Sequence, residues 1–246
     1  MVAALRRRLP RESILYLGDT ARLPYGSKSP ETVTRYTRRN VEFLIERGVK
    51  AVVVACNTAS AVALDGLESP VPIWGVIEPG AARAAAVSAG SVGVIATEST
   101  VRSGAYPRAL RRLRPELMIA SQACPLFVPL VEEGWHDDDV TAQVAERYLR
   151  PLLDSGIDTL VLGCTHYPLL RPLLARVAGP GVALVDSAET MAETVASGLA
   201  AAGLAVAGDA APVLRLCVTD AGESFHRLAG RILDDPDLPL EWVEVV

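Results

Sequence analysis

Short apolar runs alternate with longer amphipathic stretches along almost the whole chain. The runs are rich in Val, Ile and Leu, as is typical of strands buried on both faces of a parallel sheet. The stretches between them have the spacing of helices that cover such a sheet with one apolar face. The predicted strands are 13–17, 50–55, 73–77, 92–96, 117–121, 159–162, 182–185 and 213–218. The predicted helices are 29–48, 58 onward, 81–89, 101–113, 139–154, 169–177, 188–201 and 223–233. This alternation predicts an α/β fold with mainly parallel sheets flanked by helices.

The strands are too many for one compact sheet in a chain of this length, so we expect two α/β domains. The first would comprise residues 1–78 together with 188–246, and the second residues 79–187. Because proline and glycine interrupt regular structure, Glu78-Pro79-Gly80 is the expected hinge.

Two cysteines occupy matching settings in this pattern. Cys56 follows the apolar residues 52–55, and a threonine lies two residues after it. Cys164 follows the apolar residues 160–163, and a threonine comes directly after it. Each strand would carry its thiol to its carboxyl end, the edge at which open α/β sheets bind ligands. One such cysteine is more often an inert core residue, but the repetition favours two acid/base groups that face one small substrate.

The other cysteines lack this setting. Cys124 precedes a proline and Cys217 lies inside an apolar run, so we interpret both as structural. Four cysteines in 246 residues, without a signal-peptide pattern, do not suggest a disulfide scaffold. No C-x-x-C or H-x-x-x-H spacing occurs, so we expect no metal site. The glycine-rich motifs that hold dinucleotides or nucleoside triphosphates are also missing, which favours chemistry without a cofactor.

The composition narrows the class of protein. Half of the residues are hydrophobic and 22% are charged, which is ordinary for a globular protein. A net charge of −5 argues against a nucleic-acid binder that neutralises phosphates, and we interpret the basic clusters 6–8 and 108–114 as solvated helix faces. No apolar stretch has the length of a bilayer span, so we expect no membrane association and a cytoplasmic protein.

Four motifs occur in the order Gly18–Gly26, Ala55–Ser60, Gly93–Thr97 and Gly163–Leu169. With these motifs the chain resembles, over essentially its whole length, the glutamate racemases of the cofactor-independent aspartate/glutamate racemase superfamily. The resemblance implies interconversion of L- and D-glutamate, which supplies D-glutamate for peptidoglycan. It also implies two pseudo-symmetric domains with the active site in the cleft between them, and assembly as a homodimer.

Racemisation requires one group to remove the Cα proton from one face and another group to deliver a proton to the opposite face. The resemblance implies that Cys56 deprotonates D-glutamate and Cys164 deprotonates L-glutamate. His166 is placed to assist Cys164, and Glu132 matches the family's glutamate on the same side. The expected catalytic residues are therefore Cys56, Cys164, His166 and Glu132.

Substrate recognition is expected from polar groups near the strand ends. Asn57, Thr58 and Thr165 can bind the α-carboxylate together with backbone N–H groups at helix N-termini. Tyr25 and Gly26 match the family's substrate-contacting pair. The expected binding residues are Tyr25, Gly26, Asn57, Thr58, Thr97, Thr165 and His166.

The chain departs from the family pattern at its start. Family members begin with a strand and an Asp-Ser-Gly loop, whereas residues 1–6 resemble the helix after that loop, and the Asp and Ser have no counterpart. We therefore expect a truncated form whose first domain lacks a central strand, with weak stability or activity. Two alternatives stay open: a related racemase for aspartate or a hydantoin, and a truncated non-catalytic form that binds glutamate or a protein partner.

Overall fold

Helices and strands alternate through the computed structural model, which describes residues 1–208, 211–233, 235 and 237–245. Its helices are α1 (Val2–Arg8), α2 (Pro30–Glu46), α3 (Asn57–Val62), α4 (Ile77–Val87), α5 (Glu98–Ser103), α6 (Ala105–Leu113), α7 (Phe127–Glu132), α8 (Asp139–Asp154), α9 (Arg171–Ala178), α10 (Ala188–Ala201) and α11 (Glu223–Leu233). Its strands are β1 (Ile14–Gly18), β2 (Val52–Val54), β3 (Ile73–Gly75), β4 (Ser91–Ala96), β5 (Met118–Ala123), β6 (Thr159–Gly163), β7 (Ala183–Val185), β8 (Leu214–Val218) and β9 (Glu241–Trp242). Short 3₁₀ turns occupy Thr20–Arg22 and Tyr167–Leu170.

One four-stranded sheet has the order β5-β4-β6-β7. All of its pairings are parallel, and every residue of the two central strands, β4 and β6, is buried. Ala96 pairs with Gly163 on one side and with Ala123 on the other, so three strands end level with one another. The residues that follow these strands therefore meet at one edge of the sheet.

The remaining strands form two smaller parallel groups, one in the order β1-β8-β9 and one that pairs β2 with β3. All pairings among the described residues are thus parallel, and helices cover the sheets. The predicted α/β fold class is confirmed.

The expected hinge at Glu78-Pro79-Gly80 is wrong as a break in regular structure, because these residues lie in the first turn of α4. Proline is compatible with that turn, since the first N–H groups of a helix have no intrahelical acceptor. Helix formation is visible directly: Gly80 N–H donates to the carbonyl of Val76 at 3.1 Å.

Two predicted helices also have different bounds. The one expected over 101–113 is divided by Gly104, whose φ of +65° is left-handed, into α5 and α6. The one expected over 169–177 begins at Arg171, after a 3₁₀ turn that contains Pro168. Helix α2 ends as predicted, with Gly48 at a φ of +74° just beyond it.

Helix α1 packs against α10, where Ala4 and Leu5 share an apolar cluster with Met191 and Val195. This contact joins an early and a late segment of the chain, as the proposed first domain requires. The exact division at residues 78 and 188 stays a prediction. Among the described residues, no helix has both the length and the apolar character needed to cross a membrane.

Gly163 is expected to be sensitive to substitution, because a Cβ there would lie 2.8 Å from the carbonyl oxygen of Ile95 and 3.0 Å from Cβ of Ala96. We predict that Gly163→Ala costs about 1–3 kcal/mol of unfolding free energy through overpacking. A denaturant titration followed by circular dichroism measures this. Gly90→Ala is the control, since a Cβ at Gly90 would meet nothing within 4 Å. Equal stability of the two variants would contradict the prediction.

Candidate active site at the aligned strand ends

Thr97 and Cys164 are neighbours because they directly follow the paired residues Ala96 and Gly163. Cys164 is 7% exposed and Thr97 is 8% exposed, so both are almost fully buried. The pattern of apolar strands that end in small polar residues explains this placement. Cys124 follows β5 at the same edge, but it is fully buried within the core and its thiol donates to a backbone carbonyl at 3.7 Å.

Cys56 lies between β2 and α3 and is partly exposed. Burial of its sulfur raises the pKa of the thiol to about 11, because apolar surroundings disfavour a thiolate. The backbone N–H groups of Ala59 and Thr58, and the Thr58 hydroxyl, act in the opposite direction. The negative charge of Cys164 raises the pKa of Cys56 further, so the two sulfurs are within electrostatic reach of each other.

Cys164 has titratable neighbours of its own. Its sulfur lies 3.8 Å from Nδ1 of His166, and Nε2 of His166 lies 3.3 Å from a carboxylate oxygen of Glu132. Burial of the imidazole favours its neutral form, but the hydrogen bonds to Cys164 and Glu132 outweigh burial and raise the pKa of His166 to about 9. An imidazolium beside a sulfur favours the thiolate. The structure thus places the expected group of Cys164, His166 and Glu132 in one chain of contacts.

Three buried threonine hydroxyls connect α3 to the end of β4. Thr58 Oγ1 lies 2.9 Å from Thr97 Oγ1 and 3.2 Å from Thr100 Oγ1, and the last two are 3.0 Å apart. Because each hydroxyl can donate once and accept twice, the three oxygens satisfy one another without a charge. This cluster holds the N-terminus of α3, and hence Cys56, beside the edge that carries Cys164.

Gly26 lies against the same cluster. A Cβ at Gly26 would come within 2.6 Å of the Thr97 side chain, and the Gly26 carbonyl accepts from the N–H of Ser99 at 3.1 Å. Only glycine permits this approach. The loop that contains Tyr25 therefore packs against the end of β4 and the start of α5.

The Tyr25 hydroxyl does not face a ligand, because it donates to the Asp19 carboxylate. Asp19 also accepts from Arg22 Nε at 2.7 Å, from Thr219 Oγ1 at 3.1 Å and from Asn40 Nδ2 at 3.4 Å. Burial and the Asp19 carboxylate raise the pKa of Tyr25, so its hydroxyl stays protonated. Any contribution of Tyr25 and Gly26 to ligand binding must come from their backbone or from the ring.

Thr165 is exposed, and its hydroxyl lies 3.3 Å from Nδ1 of His166. Asn57 and Thr58 are each 3% exposed and form the first turn of α3. The expected residues thus lie near the same edge of the large sheet, and their contacts with a substrate stay a prediction.

Three further residues belong to this region and escaped prediction: Asp19, Thr100 and Tyr106. Thr100 had a local signal, since Thr97 caps α5 and accepts from the N–H of Thr100 at 3.5 Å. Tyr106 had none, because its acceptor is Asn57, 49 positions away in the chain. In the described ranges, no three His, Cys, Asp or Glu side chains come together in an arrangement that could hold a metal ion.

His166 should stabilise the fold in a pH-dependent way. Its pKa is about 9 in the folded state against 6.5 for a free imidazole, so its contribution is complete below about pH 6.5 and is lost as the pH rises through about 9. We expect the difference in melting temperature between the wild type and His166→Gln to follow this course. His136→Gln serves as the control. A difference that grows from pH 6 to pH 10 would contradict the assignment.

Asp19 should be needed to hold the Tyr25–Gly26 loop. Asp19→Asn keeps the shape but removes the charge that the Arg22 guanidinium faces, and we expect a loss of about 1–3 kcal/mol of unfolding free energy. The exposed Asp65→Asn is the control and should change stability by less than about 0.5 kcal/mol. Thermal or urea unfolding measures both, and an unaffected Asp19→Asn variant would rule the role out.

Comparison with known proteins places this arrangement in a family. Residues 1–195 match the model of the Asp/Glu/hydantoin racemase family. The chain is 53% identical over 236 residues to a glutamate racemase of Syntrophus aciditrophicus, covering 95% of this chain and 87% of that one.

Solved structures of glutamate racemases share the fold of this chain. A glutamate racemase isoform of Bacillus anthracis superposes with a TM-score of 0.94 at 38% identity, over 99% of this chain and 92% of that one. A Francisella tularensis glutamate racemase in complex with D-glutamate gives a TM-score of 0.92 at 34% identity, over 99% and 92%. Because the family model matches residues 1–195 and a glutamate racemase is 53% identical over 95% of the chain, this chain belongs to the Asp/Glu/hydantoin racemase family.

Proposed function

We propose that this protein is a racemase that interconverts L- and D-glutamate, with Cys56 and Cys164 as its two acid/base groups. The observation that carries the proposal is the placement of both thiols at strand ends, with the Thr58–Thr97 hydrogen bond joining the helix that follows Cys56 to the residue beside Cys164. The identity of 53% to a glutamate racemase, and the fold shared with a relative in complex with D-glutamate, support glutamate as the substrate.

Two bases suit this reaction because the proton leaves one face of Cα and arrives at the other. A single side chain could reach both faces only by moving around the substrate. In the proposed mechanism the thiolate of Cys164 removes the proton of L-glutamate, while the thiol of Cys56 donates a proton to the opposite face. The roles reverse for D-glutamate, and the proton count balances in both directions.

The surroundings of the two sulfurs support this division at neutral pH. The raised pKa of Cys56 keeps it a thiol, which is the acid needed for L-glutamate. The imidazolium of His166 lies 3.8 Å from the sulfur of Cys164, where its positive charge is positioned to assist the base needed for the same direction. Because an ordinary cysteine is only about 3% ionised at pH 7, this assistance matters. Glu132 keeps the imidazole protonated and oriented.

The α-carboxylate is the second group that needs support, since negative charge spreads onto it when the Cα proton leaves. We propose that the Asn57 amide and the backbone N–H groups of the first turn of α3, that of Thr58 among them, donate to it, with Thr165 opposite them. Fixed donors of this kind stabilise the charge as it develops. Thr97 and the backbone of Gly26 complete the wall of the cleft.

The wider setting follows from the family resemblance. We propose that the product D-glutamate serves peptidoglycan synthesis, that the protein acts in the cytoplasm, and that it assembles as a homodimer. We also propose that the active site lies in the cleft between a domain of residues 1–78 with 188–246 and a domain of residues 79–187.

The first experiment follows the Cα–H signal of L- and D-glutamate by proton NMR in D₂O, with chiral chromatography to detect inversion. We expect Cys56→Ser and Cys164→Ser each to slow racemisation by at least about 100-fold. Cys124→Ser and Cys217→Ser, at two fully buried sites, should stay within a few-fold of the wild type.

The residual activity assigns the roles. Cys56→Ser should still exchange the Cα proton of L-glutamate for deuterium without inversion, because Cys164 can return a deuteron to the same face. Cys164→Ser should do so only with D-glutamate. Inversion at the wild-type rate in the double variant would disprove the two-thiol mechanism, and faster inversion of aspartate than of glutamate would disprove the proposed substrate.

A further inference from the structure

Tyr106 connects the surroundings of both thiols. It lies in α6, is 1% exposed, and its hydroxyl donates a 2.7 Å hydrogen bond to Oδ1 of Asn57. Asn57 directly follows Cys56 and begins α3. A side chain of α6 thus contacts a candidate binding residue at the start of α3.

Two glycines make room for this ring. A Cβ at Gly80 would lie 3.1 Å from the Tyr106 hydroxyl oxygen, and a Cβ at Gly163 would lie 3.2 Å from the ring atom Cε2. Gly163 directly precedes Cys164. The ring therefore packs between α4 and the strand that carries Cys164, and it has little freedom to move.

The hydrogen bond determines which end of the Asn57 amide is free. Burial, with a smaller effect of Cys164, raises the pKa of Tyr106, so its hydroxyl is protonated and donates. The amide oxygen is then turned toward α6 and Nδ2 points away from it. Within the described part of the chain, Thr37 Oγ1 is the one fully buried side-chain polar atom that lacks a hydrogen-bond partner, so Asn57 Nδ2 is not such an atom. Nδ2 of Asn57 has no hydrogen-bond partner in this part of the chain and is not fully buried, so it is free to donate to a group outside the protein.

We propose that Tyr106 is a positioning residue: its hydroxyl holds the Asn57 amide so that Nδ2 faces the cleft and donates to the substrate α-carboxylate. This inference rests on the proposed glutamate racemisation. Without the hydroxyl, the amide can rotate and present its oxygen to the carboxylate, where two negative dipole ends would repel each other.

The test is Tyr106→Phe, which removes the hydroxyl and keeps the ring. We expect kcat/KM for racemisation to fall about tenfold, equally from both enantiomers, which corresponds to about 1.4 kcal/mol for one lost hydrogen bond. The dissociation constant of D-glutamate, measured by titration calorimetry, should rise in parallel.

Tyr167→Phe is the matched control. Tyr167 is also fully buried, and its hydroxyl donates at 2.8 Å to a backbone carbonyl, that of Cys124. Both variants should lower the melting temperature by a similar amount, but Tyr167→Phe should leave kcat/KM and D-glutamate affinity within about twofold of the wild type.

A double-mutant cycle separates positioning from general stability. In an Asn57→Ala background, Tyr106→Phe should change kcat/KM and D-glutamate affinity by less than about twofold, because there is no amide left to orient. A purely structural tyrosine would cost the same factor in both backgrounds, and that result would overturn the inference. A folded wild type that neither binds nor racemises glutamate would instead disprove the proposed function, and this inference with it.

Discussion

The in-register pairing of β4 with β6 is the constraint on which the candidate site depends. It places Ala96 opposite Gly163, so the next residues, Thr97 and Cys164, emerge side by side. A slip of one residue would turn every side chain of β6 to the other face of the sheet and carry the thiol into the core. Both strands are buried along their full length, which gives such a slip a large cost in lost packing. Gly163 tightens the constraint, since a Cβ at this position would lie 2.8 Å from the carbonyl oxygen of Ile95.

The two thiols have dissimilar surroundings although their local sequences are alike. Cys56 meets backbone N–H groups and a hydroxyl, whereas Cys164 meets an imidazole that a carboxylate keeps protonated. This asymmetry is compatible with a reaction that is symmetric in its substrates. Because two enantiomers have the same free energy in water, kcat/KM must be equal in both directions whatever the properties of each base. The surroundings therefore need only keep one sulfur as an acid while the other is a base.

Neutral and charged polar groups near the candidate site are stabilised in different ways. Thr58, Thr97 and Thr100 satisfy one another, because each rotating hydroxyl can both donate and accept. The Asp19 carboxylate can only accept, and it needs the donors that surround it, above all the Arg22 guanidinium, to offset its burial. Both clusters join segments that are distant in the chain, so they hold loops and helix ends in place without extending the apolar core.

The sequence by itself determined most of the alternation of strands and helices, the α/β class and the two cysteines, because each depends on residues that are neighbours in the chain. Helix α7 and strand β9 were not predicted. Apolar runs identify buried strands, and the cysteine that follows such a run is visible in the sequence itself. The break in regular structure expected at Glu78-Pro79-Gly80 is wrong because local proline and glycine signals do not exclude the first turn of a helix. Only the tertiary structure decided that Tyr106 contacts Asn57, that Gly26 packs on Thr97, and that Asp19 accepts a hydrogen bond from the hydroxyl of Tyr25. The physical reason is that the first two contacts join segments that are far apart in the sequence. Strand register and helix packing bring these segments together. The third depends on side-chain directions within a loop, for which the sequence carries no periodic signal.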